Sequence, residues 1–167
     1  HYPEPVAAAS WLRGLAAVYW NAADAWYDED EQVFAHLTDP YTRVDVRPTH
    51  REAVVTHVAT DGVETVLARS GRPWVLSETG LPNRWYLPAA DVAVPTTPSG
   101  LRTRGPYKGE AHYEHADLPG GTRLAEGFWH YPDPLPESAR IAGLRATAGG
   151  SRDDGSRVVV TVDGAEA

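Results

Sequence analysis

Cysteine and methionine are both missing from this chain, and lysine occurs once, at Lys108. Without a thiol there is no disulfide, no thiolate metal site and no cysteine nucleophile. Against the one lysine stand 14 arginines, so nearly every fixed cation is a guanidinium. Phenylalanine is scarce, with two residues, whereas six tryptophans and eight tyrosines supply the aromatic surface. Each Tyr or Trp joins a large apolar body to a polar tip. That composition suits a sheet core, and equally a pocket for ligands that are partly flat and partly polar. Positive charge is in deficit, 15 basic residues against 23 acidic ones, for a net charge of −8. This argues against a nonspecific nucleic-acid binder, which needs a positive face to displace counterions, and against anchoring on an anionic membrane. No apolar run approaches the roughly 20 residues that span a bilayer, and no stretch has the basic, apolar and small-residue order of a signal peptide. The expectation is a soluble, cytoplasmic protein with neither nucleic acid nor membrane as partner. The absence of methionine, with His1 at the head of the sequence, leads to the further expectation that the natural start lies upstream.

What is present begins with a repeat. His1-Tyr2-Pro3-Glu4-Pro5 recurs as His130-Tyr131-Pro132-Asp133-Pro134, and the match runs on without a gap through Leu12 with Ile141, Gly14 with Gly143, Leu15 with Leu144 and Asp24 with Asp153. An internal repeat at a fixed offset marks copies of one structural unit. Residues 1–47 therefore read as the tail of a preceding unit plus a linker, and residues 48–167 as a complete unit. The 167 residues suffice for one domain and a partial second.

Within the tail, Trp11, Leu15, Tyr19, Ala22 and Trp26 fall at three- and four-residue steps and taken alone suggest a helix. The second copy, Ile141–Thr147, carries Gly143 and leads into Gly149-Gly150, which suits a strand and turn. The reading adopted is a helical turn after each Pro-x-Pro and a strand over residues 14–20. Asp28-Glu29-Asp30-Glu31 is expected to be a solvated turn, and Asp39 to Arg51 an extended linker.

The complete unit reads as short strands: Glu52–Val58, Val63–Arg69, Trp74–Glu78, Arg84–Leu87, His112–His115, Thr122–Tyr131, Ile141–Thr147 and Arg157–Val162. Ala59-Thr60-Asp61-Gly62 and Leu118-Pro119-Gly120-Gly121 are hairpin signals, and Pro95 to Gly100 reads as a loop. Val158-Val159-Val160-Thr161-Val162 is β-branched almost throughout. This rhythm predicts a mainly β fold, α+β at most: an antiparallel sandwich or open barrel with little helix.

Four motifs in order then carry a family resemblance. They are Glu78-Thr79-Gly80-Leu81-Pro82-Asn83-Arg84-Trp85-Tyr86-Leu87-Pro88, Asp91-Val92, Pro106-Tyr107-Lys108-Gly109-Glu110-Ala111-His112-Tyr113, and Trp129-His130-Tyr131-Pro132-Asp133-Pro134-Leu135-Pro136. Over about residues 50–165 the chain resembles the bacterial domain of unknown function 427, sometimes filed under a nucleotidyltransferase-like label, and residues 1–47 resemble the tail of a second copy. The resemblance implies a compact antiparallel fold of the β-tent kind and no known reaction. Members of that family commonly carry a cysteine just before Pro-Tyr-Lys-Gly; here Gly105 stands there. The label gains no support from the residues, because nucleotidyl transfer needs closely placed carboxylates to hold magnesium on a triphosphate.

The candidate site centres on Lys108, in a turn beside a strand. Arg102, Arg104 and Lys108 form a basic cluster in an acidic chain, either to recognise a carboxylate or phosphate or as edge-strand cations that discourage aggregation. Tyr113 and Trp129 would wall an aromatic pocket with Tyr86, Tyr107 and Tyr131 nearby, unless they fill an ordinary core. Glu78 follows an apolar strand and needs a partner if buried, with Arg84 or Lys108 available; it is either half of a structural ion pair or a general acid or base. The catalytic candidates are thus Lys108, Tyr86, Tyr113 and Glu78, and the ligand-binding candidates Arg102, Arg104, Tyr107, Trp129 and Tyr131. No metal and no cofactor is expected, since His112 and His115 point to opposite faces of a regular strand. Two functions compete. One is a small-molecule site, catalytic or not, for an anionic or carbonyl-containing ligand. The other is a non-catalytic assembly module, and a homodimer is the expected state.

Overall fold

Two units make up the computed structural model, which describes every residue from His1 to Ala167: His1–Leu37 and Thr38–Ala167. The first holds a 3-10 turn over Ala7–Leu12, another over Trp20–Ala22, and a small hairpin of β1 (Trp26–Asp28) and β2 (Glu31–Val33). Trp20 stacks on Trp26 with ring centroids 5.1 Å apart, and the Trp26 indole N–H donates to the Trp20 carbonyl at 2.6 Å. The acidic run forms the tip of this hairpin, with Glu29 at a φ of 52°.

The two Pro-x-Pro stretches share one backbone path. Each leads into a six-residue 3-10 turn, Ala7–Leu12 and Pro136–Ile141. The Ala9 N–H donates to Val6 at 2.8 Å, as the Ser138 N–H does to Leu135 at 2.9 Å. Gly14 and Gly143 follow with φ of 78° and 73°. Beyond that point the paths differ. The strand expected over residues 14–20 does not form, although Leu144–Ala146 in the other copy does pair. A strand exists only where neighbours complete its ladder. Leu144–Ala146 lies between two long strands, whereas residues 15–19 have no strand beside them.

The second unit contains β3 (Val44–Pro48), β4 (Ala53–Val58), β5 (Glu64–Ser70), β6 (Trp74–Glu78), β7 (Arg84–Pro88), β8 (Thr96–Gly105), β9 (Gly109–Asp117), β10 (Arg123–His130), β11 (Leu144–Ala146), β12 (Gly150–Ser151), β13 (Arg157–Val162) and β14 (Ala165–Glu166). They build a seven-stranded sheet, β3-β6-β7-β11-β10-β9-β8, and a five-stranded sheet, β12-β13-β4-β5 with β14 beside β13. Neighbours pair antiparallel, and the two sheets face each other as a sandwich without closing into a barrel.

Alternation along the strands sorts side chains onto two faces. One face of the larger sheet turns Trp85, Leu87, Ala116, Leu124 and Phe128 onto Ala53, Val55, Leu67, Val158, Val160 and Val162 of the smaller one. The other face turns Val46, Leu76, Tyr86, Ala111, Tyr131 and Ala146 toward Ile141, at the end of the 3-10 turn. Strand β7 is buried on both faces through Trp85, Tyr86 and Leu87.

In the seven-stranded sheet, two strands lie where the sequence predicts none. Val44–Pro48 forms within the expected linker, and β8 runs through the expected Pro95–Gly100 loop. Both are the outermost strands of the seven-stranded sheet. An edge strand tolerates proline, because one side of it needs no backbone donor. Pro48 ends β3, and Pro98 sits where the β8 register shifts against β9, with Gly100 at a φ of 83°.

Phe128 is fully buried between the sheets. Phe128→Ala is expected to lower the unfolding free energy by about 3–5 kcal/mol, read as a reduced urea midpoint; a loss below about 1 kcal/mol would contradict the sandwich core described here.

Candidate functional site

Strands β8 and β9 meet in a tight turn, Gly105-Pro106-Tyr107-Lys108-Gly109, with Gly105 paired to Gly109. The 3-10 segment that follows the second Pro-x-Pro holds this turn from outside. The buried Ser138 hydroxyl donates to the Tyr107 carbonyl at 3.0 Å, and the Leu135 N–H donates to the Lys108 carbonyl at 3.3 Å. Gly109 closes the turn at a φ of 88°, and a Cβ there would stand 3.3 Å from the Asp133 carbonyl. Only glycine meets both conditions without strain. The Tyr107 hydroxyl is turned away to accept the Asp39 N–H at 2.8 Å. Tyr107 thus secures the turn from beneath.

So held, Lys108 reaches across the sheet to the end of β6, where its ammonium donates to the Glu78 carboxylate. The side chains are 18% and 10% exposed. Of the two partners the sequence offered Glu78, the structure selects Lys108. The pair opens onto a cleft of about 200 Å³ whose walls are Leu76, Leu81, Pro82, Arg84, Tyr86, Tyr113, Trp129 and Tyr131. The cross-strand register explains the grouping. Tyr86 on β7 lies opposite Ala146 on β11, Ala146 opposite Trp129 on β10, and Trp129 opposite Tyr113 on β9. Leu76 on β6 faces Arg84 on β7. The small Ala146 lies between two large rings in that row, Tyr86 and Trp129, which hydrogen-bond to each other.

Tyr113 and Trp129 are tilted rings with centroids 6.1 Å apart, and the Tyr113 hydroxyl shares a hydrogen bond with Thr103 Oγ1 at 3.0 Å. The Arg84 guanidinium lies over Trp129, 5.4 Å from the ring centroid. Burial pushes the Tyr86 phenol up to about 12, opposed in part by hydrogen bonding to Trp129 and by the charge of Arg84. Burial likewise raises Tyr131, with Tyr86, Tyr113 and Glu78 acting in the same direction. Both phenols remain protonated near neutrality, so they serve as hydrogen-bond donors and are poor general bases.

Seven sequence candidates are placed around one turn and cleft: Lys108, Glu78, Tyr86, Tyr113, Trp129 and Tyr131 on the walls, and Tyr107 behind the turn. Arg102 and Arg104 are not among them. They pair with His112 and Glu110 on β9 and share the opposite sheet face, so the expected basic cluster with Lys108 does not form. Arg104 bridges to Glu110 at 2.7 Å and Arg102 donates to the Leu101 carbonyl at 2.7 Å. The two missed wall elements of consequence are Arg84 and the Leu81-Pro82 turn. Position 84 shares its strand face with Tyr86, a signal that strand periodicity alone contained.

The opposite face carries a second polar group. Arg145 grips the buried Glu114 carboxylate through two bonds of 2.8 and 3.0 Å. His130 lies beside them, its charged form disfavoured by burial and then by Arg145. No set of three or more His, Asp or Glu side chains is arranged to hold a metal ion. Three larger surface hollows, about 300 Å³ at Arg51 and Trp85, about 470 Å³ at Arg123 and Arg152 and about 270 Å³ at Tyr2 and Tyr19, lack a buried ionisable pair. No helix is long and apolar enough to cross a membrane.

Comparison with known proteins agrees with the motifs around this cleft. No curated protein matches the chain significantly. One family model, labelled NTP_transf_9 and described as a domain of unknown function (DUF427), matches residues 45–163, a span that includes both the Glu78 and the Lys108 motifs. The chain belongs to the DUF427 family.

Proposed function

We propose that the cleft between β6, β7, β9 and β10 binds a small, partly flat organic molecule carrying an anionic or carbonyl group. The observation that supports this most is the Lys108–Glu78 pair, largely withdrawn from water yet opening onto a hollow walled by Tyr86, Tyr113 and Trp129. An ion pair placed there costs desolvation and is a weak source of stability, so a role toward a ligand accounts for its position better than folding does. An aromatic wall with few convergent polar groups is the usual make-up of a small-molecule site. In a catalytic version of this reading, Lys108 donates to a carbonyl oxygen and Glu78 takes up a proton, while Tyr86 holds the ligand as a donor.

A thermal-shift screen of small carboxylates, phosphates and carbonyl compounds tests the proposal. A true ligand raises Tm in the native protein and fails to do so in the Lys108→Met/Glu78→Gln double variant. Removing both charges together avoids the uncompensated buried carboxylate that Lys108→Met alone leaves, which costs about 3–5 kcal/mol. Equal responses in both proteins would overturn the assignment.

The second reading is an assembly module, favoured by the surface of the first unit. Trp11, Val18 and Tyr19 are 73%, 63% and 84% exposed, and Ala17 and Val18 are open to solvent where the matching Ala146 and Thr147 are buried. Large apolar side chains left in water in such number are a feature of interaction surfaces, and a second copy of the chain is the proposed partner. Light scattering is expected to give a dimer at micromolar concentration, and Trp11→Asp a folded monomer; a monomeric native protein would end this reading.

A further inference from the structure

We infer that Arg84 is the anion-holding group of the cleft and that the ligand class is a small monocarboxylate with a flat or apolar body, an inference that rests on the binding reading above. Lys108 is the obvious cation, yet its ammonium already meets Glu78 and the two charges cancel. Arg84 is the remaining charge on the wall. It takes part in none of the ion pairs of the chain, and its single side-chain hydrogen bond, to the Thr147 carbonyl, is long at 3.5 Å. Hydrogen bonds of full strength lie near 2.7–3.2 Å, so most of the five guanidinium donors are unused by the protein.

The placement of Arg84 suits it for this role. Its guanidinium carbon lies over the Trp129 ring, 5.4 Å from the centroid. A guanidinium edge matches a carboxylate through two parallel bonds. The rest of the wall is rich in donors and poor in acceptors. Tyr86 stays protonated, the Tyr131 hydroxyl donates to Tyr86, and the one carboxylate, Glu78, is engaged. A ligand must therefore bring acceptors. Two cations and one anion leave the wall with a single positive charge, which one carboxylate balances. Size narrows the class further. The hollow, about 200 Å³, has room for one ring with a carboxylate, while a nucleoside triphosphate brings several negative charges to a wall that offers one net positive charge.

The probes are benzoate, phenylacetate, benzamide, inorganic phosphate and ATP, followed by Tm and by Trp fluorescence on the full chain. Benzoate or phenylacetate is expected to bind saturably and more tightly than benzamide, phosphate or ATP. Arg84→Gln is expected to weaken that binding about tenfold or more. Arg84→Lys, which keeps the charge and loses the two-pronged edge, falls between, and Arg102→Gln on the other sheet face leaves it unchanged. Circular dichroism and urea midpoints establish that each variant folds; where Arg84→Gln does not, Arg84→Lys carries the comparison. Carboxylate binding that is equal in native and Arg84 variants, or tighter binding of phosphate or ATP, overturns the inference. If benzamide binds as well as benzoate and is lost in the Lys108→Met/Glu78→Gln variant but not in Arg84→Gln, the site reading stands and the role of Arg84 falls. If none of the probes binds, both fall.

Discussion

Burial of strand β7 on both faces is the constraint from which the rest of the second unit follows. Trp85 and Leu87 enter the core between the sheets, while Tyr86 enters the core on the outer face. A strand with two buried faces has to sit inside a sheet and needs cover on each side. The five-stranded sheet covers one. On the other the sequence provides only a 3-10 turn, Pro136–Ile141, which is too short to roof seven strands. The uncovered part of that face, beyond Ile141, is where the cleft lies. The cleft is thus a portion of an aromatic core that the second unit's own elements leave uncovered.

The same 3-10 segment does a second job. By bonding the carbonyls of Tyr107 and Lys108 it fixes the one turn that carries an ammonium to this face. Lys108 then needs no support from its own strand, and Gly109 gives the chain the conformation to resume pairing at once. Position 105, just ahead of the turn, has open space where a Cβ would project. The glycine found there is therefore not required by crowding.

Strands in the middle of the sheets were legible in the sequence because their patterns are strong: Trp74–Glu78 and Arg157–Val162 form with the predicted bounds. The two edge strands were not, because Pro48, Pro98 and Gly100 resemble loop chemistry and are tolerated only where a ladder is one-sided. For the cleft, the singular Lys108 and the apolar approach to Glu78 pointed to two side chains that the fold does bring together. Choosing between Arg84 and Lys108 as partner of Glu78 needed the hairpin register, which no local pattern encodes. Grouping Arg102 and Arg104 with Lys108 failed for the opposite reason. Nearness along the chain stood in for geometry, although even-numbered positions of β8 lie across the sheet from the cleft.

A protein with one lysine has one side-chain amine, and here that amine is mostly hidden and bonded to a carboxylate. Acylating reagents that decorate most proteins at many places find in this folded chain only its terminus and this one guarded nitrogen. The rate at which Lys108 is acylated therefore measures how often the turn at residues 105–109 lets go of Glu78. The chain carries its own reporter of opening at the cleft, with no background from other lysines to subtract.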